Sequence, residues 1–307
     1  AVHGTAATAE MDLPSGGGPS GTEAALRELK ERVDRVHRAS ALPVRCGVAP
    51  LPAGLPDGSL QSSVARHDLQ HQGIVEQMRG GGLLSPELTF VDFGAGDGGL
   101  CRCVACAAGG GRYVLVDRSR RPTMPSVGVH EVSWLRADVS TLLAPDLQRA
   151  ARGECVVVSN HLCGSALDLA VGRSVDGFHL TKPARLLGVM AATCCHDQCS
   201  WESFLGQRAF GEWGFSAMDF GELCRWSRMA PRRGKPDHTR ERVVREAERL
   251  GVTPSEAAQL GLHCRQLIDT ARLLHLQGHG FEVSLVEHVD FRVTADNVML
   301  CAVRRSP

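Results

Sequence analysis

What the 307-residue sequence lacks narrows the field first. It has no excess of charge of one sign, because 34 Lys and Arg residues balance 34 Asp and Glu residues. That excludes a globally basic nucleic-acid binder and leaves only a locally basic groove. No run of about 18 apolar residues is present, so no helix is expected to span a membrane. The opening stretch AVHGTAATAEMDLPSGGGPSG has neither a basic flank nor an apolar core, so no secretory signal is expected. Lysine is scarce, with only Lys30, Lys182 and Lys235 present. A C-x2-C pair repeated further on is also missing, although there are twelve cysteines. A chain this long buries a core without staples, so these cysteines are expected to be reduced thiols in a cytoplasmic or nuclear protein.

What is there reads as an ordinary globular chain, with 43% hydrophobic and 22% charged residues. Residues 1–60 are expected to comprise a disordered Gly/Ser/Ala tail, an exposed helix and a Pro/Gly-rich linker. In that helix Leu26, Leu29, Val33 and Val36 form one narrow apolar stripe among alternating charges. Residues 61–307 form one α/β domain. A helix from about Ser62 precedes the apolar run LTFVDF, a buried parallel strand by its length and branching. A helix near Leu100–Ala108 leads to RYVLVD, and further strands are expected at Val132–Leu135, Glu154–Ser159 and Leu186–Ala192. FEVSLVEHV and NVMLCAV form a terminal antiparallel hairpin. Strands separated by helical lengths imply a mostly parallel sheet with helices on both faces, an architecture that resembles Rossmann-like class I methyltransferases.

Between the fifth strand and that hairpin, residues 224–250 form a basic insertion: Arg225, Arg228, Arg232, Arg233, Lys235, Arg240, Arg242, Arg245 and Arg249 face four acids. Such a run is either a solvated helical face or an arm that contacts phosphates.

The segment VDFGAGDGG joins a predicted strand to a predicted helix. Gly94 and Gly96 permit positive φ and close approach of backbone to a ligand, and the helix start offers free N–H groups. Asp92 precedes the loop, Asp117 closes the next strand, where a ribose is usually gripped, and Asp138 follows the third strand. One acid near a glycine turn is common, but three in this order resemble the S-adenosylmethionine site of class I methyltransferases. Asp92, Gly94, Ala95, Gly96, Asp117, Asp138 and Asn160 are therefore the expected cofactor residues.

SNHLCGSALDLA follows the fourth strand and ATCCHDQCSW the fifth, so both motifs fall at the carboxyl edge of the sheet, where open α/β sheets bind ligands. A strand continuing through Cys194 and Cys195 would aim the two thiols at opposite faces, and no metal is expected. These blocks, with GLHCRQLIDTARLLHL, DNVMLCAV and the upstream RHDLQHQGIVEQM, resemble those of the eukaryotic tRNA 2′-O-methyltransferases that modify the fourth nucleotide of the acceptor stem. The resemblance runs from about His67 to Val303.

It implies methyl transfer from S-adenosylmethionine to a ribose 2′-hydroxyl, with the tRNA acceptor stem as partner. Gly94, Gly96 and Asp117 would hold the cofactor. His161, Asp168, Cys195, His196, Asp269, Arg272 and Asn297 would line the cleft. His161, His196, Asp168 and Cys195 are the expected catalytic set, and Arg232, Arg233, Lys235, Arg265, Arg272 and Asn297 the expected substrate contacts. The family pattern has Lys before His-Leu-Cys-Gly, where this chain has Asn160, and a second His after Cys-Cys-His, where it has Asp197. The general base thus stays open between His161 and His196, with Arg265 as an electrostatic stabiliser. A related methyltransferase with another substrate, or a non-catalytic paralogue, is the alternative.

Overall fold

A computed structural model describes residues 21–48, 60, 62–119, 129–178, 184–231 and 238–304. In chain order its elements begin with α1 (Gly21–Ser40), β1 (Val44–Cys46), α2 (Ser63–Gly80), β2 (Thr89–Phe93), α3 (Gly99–Ala108), β3 (Gly111–Asp117), β4 (Val129–Arg136), α4 (Ala144–Ala150), β5 (Gly153–Ser159) and α5 (Ser165–Phe178). They continue with β6 (Ala184–Ala192), α6 (Gln207–Glu212), α7 (Ala217–Trp226), α8 (His238–Leu250), α9 (Pro254–Gly278), β7 (Glu282–Glu287) and β8 (Val298–Val303).

The strands form one eight-stranded sheet in the order β1-β7-β8-β6-β5-β2-β3-β4. All pairings are parallel except those of β8, which runs antiparallel between β6 and β7. From β2 the chain winds outward through β3 and β4, then returns to the other side of β2 for β5 and β6. The direction therefore reverses between β2 and β5, the position at which open α/β sheets bind ligands, outside the carboxyl ends of the strands.

Strand alternation sorts the core into two faces. Val91, Phe93, Val114 and Val116 pack with Leu147, Leu167, Val171 and Leu276 of α4, α5 and α9. Phe90, Tyr113 and Leu115 pack on the other face with Ile74, Met78, Leu100 and Val104 of α2 and α3. β2 is buried at all five positions, as a strand covered on both sides must be. The 25-residue α9 starts at a Thr253–Glu256 capping box with Pro254 in its first turn. Its Leu273 and Leu276 face the sheet, while Leu267, Ile268 and Ala271 face a second, all-helical core with Phe204, Phe210, Phe220, Leu223 and Trp226.

Three expectations for the flanking segments change. First, α1 is no exposed helix, because its apolar stripe, with Val33 at 0% exposure, lies in that helical core. A polar seam to α9 fixes it: His37 Nε2 lies 2.9 Å from Gln266 Oε1, His263 Nδ1 lies 2.9 Å from Asp34 Oδ1, and the two imidazoles stack at 3.9 Å. Second, Val44–Cys46 in the expected linker is strand β1, paired with β7. Three residues are too short to show a period, and the partner strand lies far along the chain. Third, the basic insertion is in part packed structure. Cys224 and Trp226 finish α7 inside the helical core, and Ala247 and Leu250 of α8 join them. The expected N-terminal tail, most of the linker, Lys182, Arg232, Arg233 and Lys235 lie outside the described residues.

Candidate active site

The glycine loop after β2 is built as its sequence requires. Gly94, Gly96 and Gly98 have φ of 74°, 54° and 84°, the left-handed region in which a Cβ is strained. The Gly94 and Ala95 amides donate to the Val116 carbonyl at 2.9 and 3.2 Å, which ties the loop to the end of β3. The Gly96 amide donates to Asp117 Oδ2 at 2.9 Å, and Asp117 Oδ1 accepts from the Ser119 amide and hydroxyl. Burial opposes ionisation of Asp117, but the hydrogen bonds from Ser119 and Gly96 outweigh it and hold the carboxyl below its ordinary range. Asp138 sits in a half-exposed turn whose Ser140 hydroxyl and amide lower its pKa, with Arg118 3.8 Å away. Asp92 differs: it is fully buried beneath the loop with the Cys101 thiol 3.2 Å away, and burial, opposed by that hydrogen bond and aided by Asp117, pushes its pKa up to about 7.

Facing this loop stands α2. A Cβ on Gly99 would lie 2.8 Å from the His71 ring, so α2 and the start of α3 touch at glycine distance. Asn160, just after β5, donates to Gln70 Oε1 of α2 at 3.4 Å. The Asn160 Oδ1 and His71 Nδ1 atoms are buried without a hydrogen-bond partner among the described residues, an arrangement that calls for an added polar group. The His71 pKa is lowered to about 4, chiefly by burial and then by the His67 charge. His161 follows with φ of 63°, and its ring lies 5.3 Å from that of His67. Its side chain reaches solvent, yet partial desolvation and His67 hold its pKa below the ordinary imidazole value. His161 and Cys195 are the non-glycine residues with positive φ among those described, and such strain gathers at functional sites.

The remaining expected residues separate into two places. Asp168, Asp269, Arg272 and His196 form a buried network beneath the cleft, all between 1% and 3% exposed. Arg272 grips Asp168 with Nε and Nη2 at 3.0 and 2.6 Å, and donates from Nη1 to Asp269 at 3.0 Å and from Nη2 to the Cys199 sulfur at 3.0 Å. Asp269 Oδ2 accepts from Thr193 Oγ1 at 3.0 Å and faces His196 Nε2 at 2.8 Å. Burial opposes charge on Asp269, but His196, Arg272 and Thr193 hold its pKa below the ordinary value.

Arg265 is buried at 8% exposure, donating to the Ser227 carbonyl and to Asp296, 3.0 and 3.1 Å away. The Asn297 side chain donates to the Val289 carbonyl, so it holds the β7–β8 connection. Asp197 accepts from Arg228 Nε at 2.8 Å, which anchors the Cys-Cys-His turn to the basic segment. Arg225 and Arg249 pair with Glu222 and Glu246, whereas Arg242 and Arg245 are exposed on α8.

Sequence reasoning missed Gln70, His67 and His71. Their signal was present, since Gln70, His71 and the His67–His71 spacing lie inside RHDLQHQ on consecutive turns of one helix.

Fold and loop together define an α/β protein with a mostly parallel sheet and a glycine loop at the point where its strand order reverses. The family model described as "Methyltransferase TRM13" matches residues 69–303, so the chain belongs to that family. It is 25% identical over 273 residues to a Yarrowia lipolytica protein named "tRNA:m(4)X modification enzyme TRM13", covering 76% of this chain and 58% of that protein. A Debaryomyces hansenii protein of the same name is 27% identical, with 82% and 62% covered. The mouse "tRNA:m(4)X modification enzyme TRM13 homolog" is 26% identical, with 76% and 63% covered. The chain thus spans about three fifths of the length of these relatives.

Proposed function

We propose that this chain is a methyltransferase domain of Rossmann-like class I fold that moves a methyl group from S-adenosylmethionine to the ribose 2′-hydroxyl of the fourth nucleotide in a tRNA acceptor stem. The observation that carries the reading is the loop Gly94–Gly98 with its Gly96 amide locked to Asp117, opposite α2 and Asn160, where His71 Nδ1 and Asn160 Oδ1 lack hydrogen-bond partners among the described residues. A sheet in which only β8, inserted between β6 and β7, runs antiparallel supports the fold. Names of the relatives supply tRNA as the substrate.

Bound in this cleft, the cofactor supplies an activated sulfonium methyl. Asp117 would hold its ribose, the Asp138 turn its base, and Gly94, Ala95, Gly96, Asp92 and Asn160 the amino-acid end. The protein then has to align and deprotonate a weak nucleophile. His161 fits the second task, because its imidazole is solvent-accessible and its lowered pKa keeps it neutral at pH 7. A His161 ring nitrogen would take the proton of the 2′-hydroxyl that accepts the methyl group. His196 and Asp168 are held in the buried network, so they act as positioning residues that fix the loop carrying Cys195 against α5 and α9. Exposed Arg242 and Arg245, together with Arg232, Arg233 and Lys235, would meet backbone phosphates of the RNA stem.

Labelled S-adenosylmethionine with unmodified tRNA, followed by nucleoside mapping, tests the assignment, with label expected as a 2′-O-methyl group in the acceptor stem. Label elsewhere identifies a methyltransferase of different specificity. Cofactor uptake without label identifies a non-catalytic paralogue. Under single turnover, His161→Ala should slow transfer by about a hundredfold or more and leave cofactor affinity unchanged. An unchanged rate would remove His161 from the chemistry.

A further inference from the structure

The thiols at the carboxyl edge of the sheet are not arranged as a continuing strand would place them. β6 ends at Ala192, so the strand does not continue through the cysteine pair. Cys195 instead takes a left-handed backbone with φ of 46°. This reverses the direction in which its side chain leaves the chain and brings its sulfur to the same side as that of Cys194. Cys163 arrives from the other loop, after β5, and its sulfur lies 3.1 Å from that of Cys194. All three sulfurs lie within 4.8 Å of one another.

Backbone contacts, not side-chain rotamers alone, bring these loops together. Gly164, next to Cys163, has φ of 57°, and a Cβ there would lie 2.5 Å from the Gln198 carbonyl. Ser165 Oγ donates to that carbonyl at 3.1 Å and accepts from the Ser200 amide at 2.7 Å. The loop bearing Cys163 is thereby clamped on the turn bearing Cys194 and Cys195. Of the two non-glycine residues with positive φ among those described, Cys195 is one of the three thiols, and the carbonyl of the other, His161, lies 3.5 Å from the Cys163 sulfur. Backbone strain of that kind costs on the order of 1–3 kcal/mol per residue and persists only where the surroundings impose it.

We propose that Cys163, Cys194 and Cys195 form a binding site for a soft d10 cation, zinc, held as three thiolates with one open position. Thiolates about 2.3 Å from a tetrahedral zinc stand about 3.8 Å apart, within the span that the three sulfurs already cover. Soft sulfur donors select zinc over magnesium or calcium. Cys194 is buried, while Cys163 and Cys195 are half-exposed, so an ion can enter from the cleft side. A Cys163–Cys194 disulfide is the competing use of the short contact, but it gives no role to the third sulfur or to the strained Cys195 backbone. Zinc there would staple the two active-site loops to each other. The site stands on thiol geometry and is independent of the methyl-transfer reading.

Cobalt(II) titration of the reduced, metal-stripped full chain tests it. One ion per chain should give an intense thiolate-to-cobalt charge-transfer band with the visible bands of a tetrahedral site, and zinc should displace it. The band should be lost in Cys163→Ser and in Cys195→Ser, and persist in Cys106→Ser, whose thiol is exposed on α3. Zinc should raise the Tm of the parent chain and of Cys106→Ser, but not that of the other two. Should Cys195→Ser fail to fold, Cys163→Ser and the Cys195→Ala variant carry the test. The proposal is overturned by a fully reduced chain that gives no such band, by a band that survives loss of both Cys163 and Cys195, or by an isolated protein whose mass is two hydrogens short through a Cys163–Cys194 disulfide.

Discussion

Asp92 occupies a position that disfavours its own charge. Its pKa of about 7, against 3.8 for an ordinary Asp, arises first from burial. Between those values the folded chain holds a proton that the unfolded chain has lost. Stability is therefore present below pH 3.8 and is lost as pH rises through 7. Asp92→Asn removes that loss, and the variant should exceed the parent at pH 8 by up to about 4 kcal/mol, at about 1.4 kcal/mol per pKa unit. Urea midpoints at pH 5 and pH 8 measure it, and a variant less stable than the parent at pH 8 refutes the argument. If Asp92 serves a cationic cofactor, calorimetry should show weaker S-adenosylmethionine binding in the same variant. Gain of stability with loss of binding is the signature of a residue kept for function.

Arg272 is the opposite case, a buried cation with every neighbour in place. Arg272→Met leaves Asp168 and Asp269 without their partner and should cost about 3–5 kcal/mol, read as a drop in denaturant midpoint. A loss under about 1 kcal/mol would mean that the network relaxes or fills with water. The sequence placed Asp168, Asp269, Arg272 and His196 near one cleft, yet their mutual pairing was not legible. The Asp168–Arg272 contact joins residues 104 apart in the chain, and no local pattern encodes a partner at that distance.

At the scale of elements, the longer parallel strands were legible, whereas the three-residue β1 and the packing of the flanking helices were not. β2, β3, β5 and β6 announce themselves as apolar runs because both their faces are covered. The docking of α1 was hidden because its charged outer face and narrow stripe suit an isolated surface helix equally well. Close helix packing also leaves its mark on glycines. A Cβ on Gly73 of α2 would sit 2.1 Å from the His288 carbonyl, whereas one on Gly80 of the same helix meets nothing within 4 Å. Gly73→Ala should destabilise by about 1–3 kcal/mol through overpacking. Because Gln70 and His71 ride on the same helix, it should also weaken ligand binding in the cleft. Gly80→Ala should stay within about 0.5 kcal/mol of the parent, as surface changes usually do. Equal effects at both positions would mean that helix propensity, not the contact with His288, governs α2.

For the molecule as a whole, the balance of 34 cationic and 34 anionic residues leaves acid stability to groups whose environments refuse a proton. His71 and His288 have pKa values lowered to about 4, in each case chiefly by burial. His37, His161 and His275 are lowered as well, again with burial first. They stand on α1, α2, α9, the loop after β5 and the β7–β8 connection, so their protonation loads every layer of the fold at once. The sign follows from linkage: as pH falls below about 6.5, the unfolded chain takes up protons that the folded chain declines, and stability falls with it. For His71 and His288 the fall continues to about pH 4 and then levels, because below that value both states are protonated. His71 and His288 each contribute at most about 1.4 kcal/mol per pH unit, or roughly 3 kcal/mol over the window. Urea unfolding at closely spaced pH values should show stability declining from pH 6.5 to 4. His71→Asn combined with His288→Asn should flatten that decline even if it lowers stability at pH 7. A double variant with the same slope as the parent would refute the assignment to His71 and His288, since carboxylates such as Asp269 and Asp117, whose pKa values are held low, lose their contribution only at still lower pH.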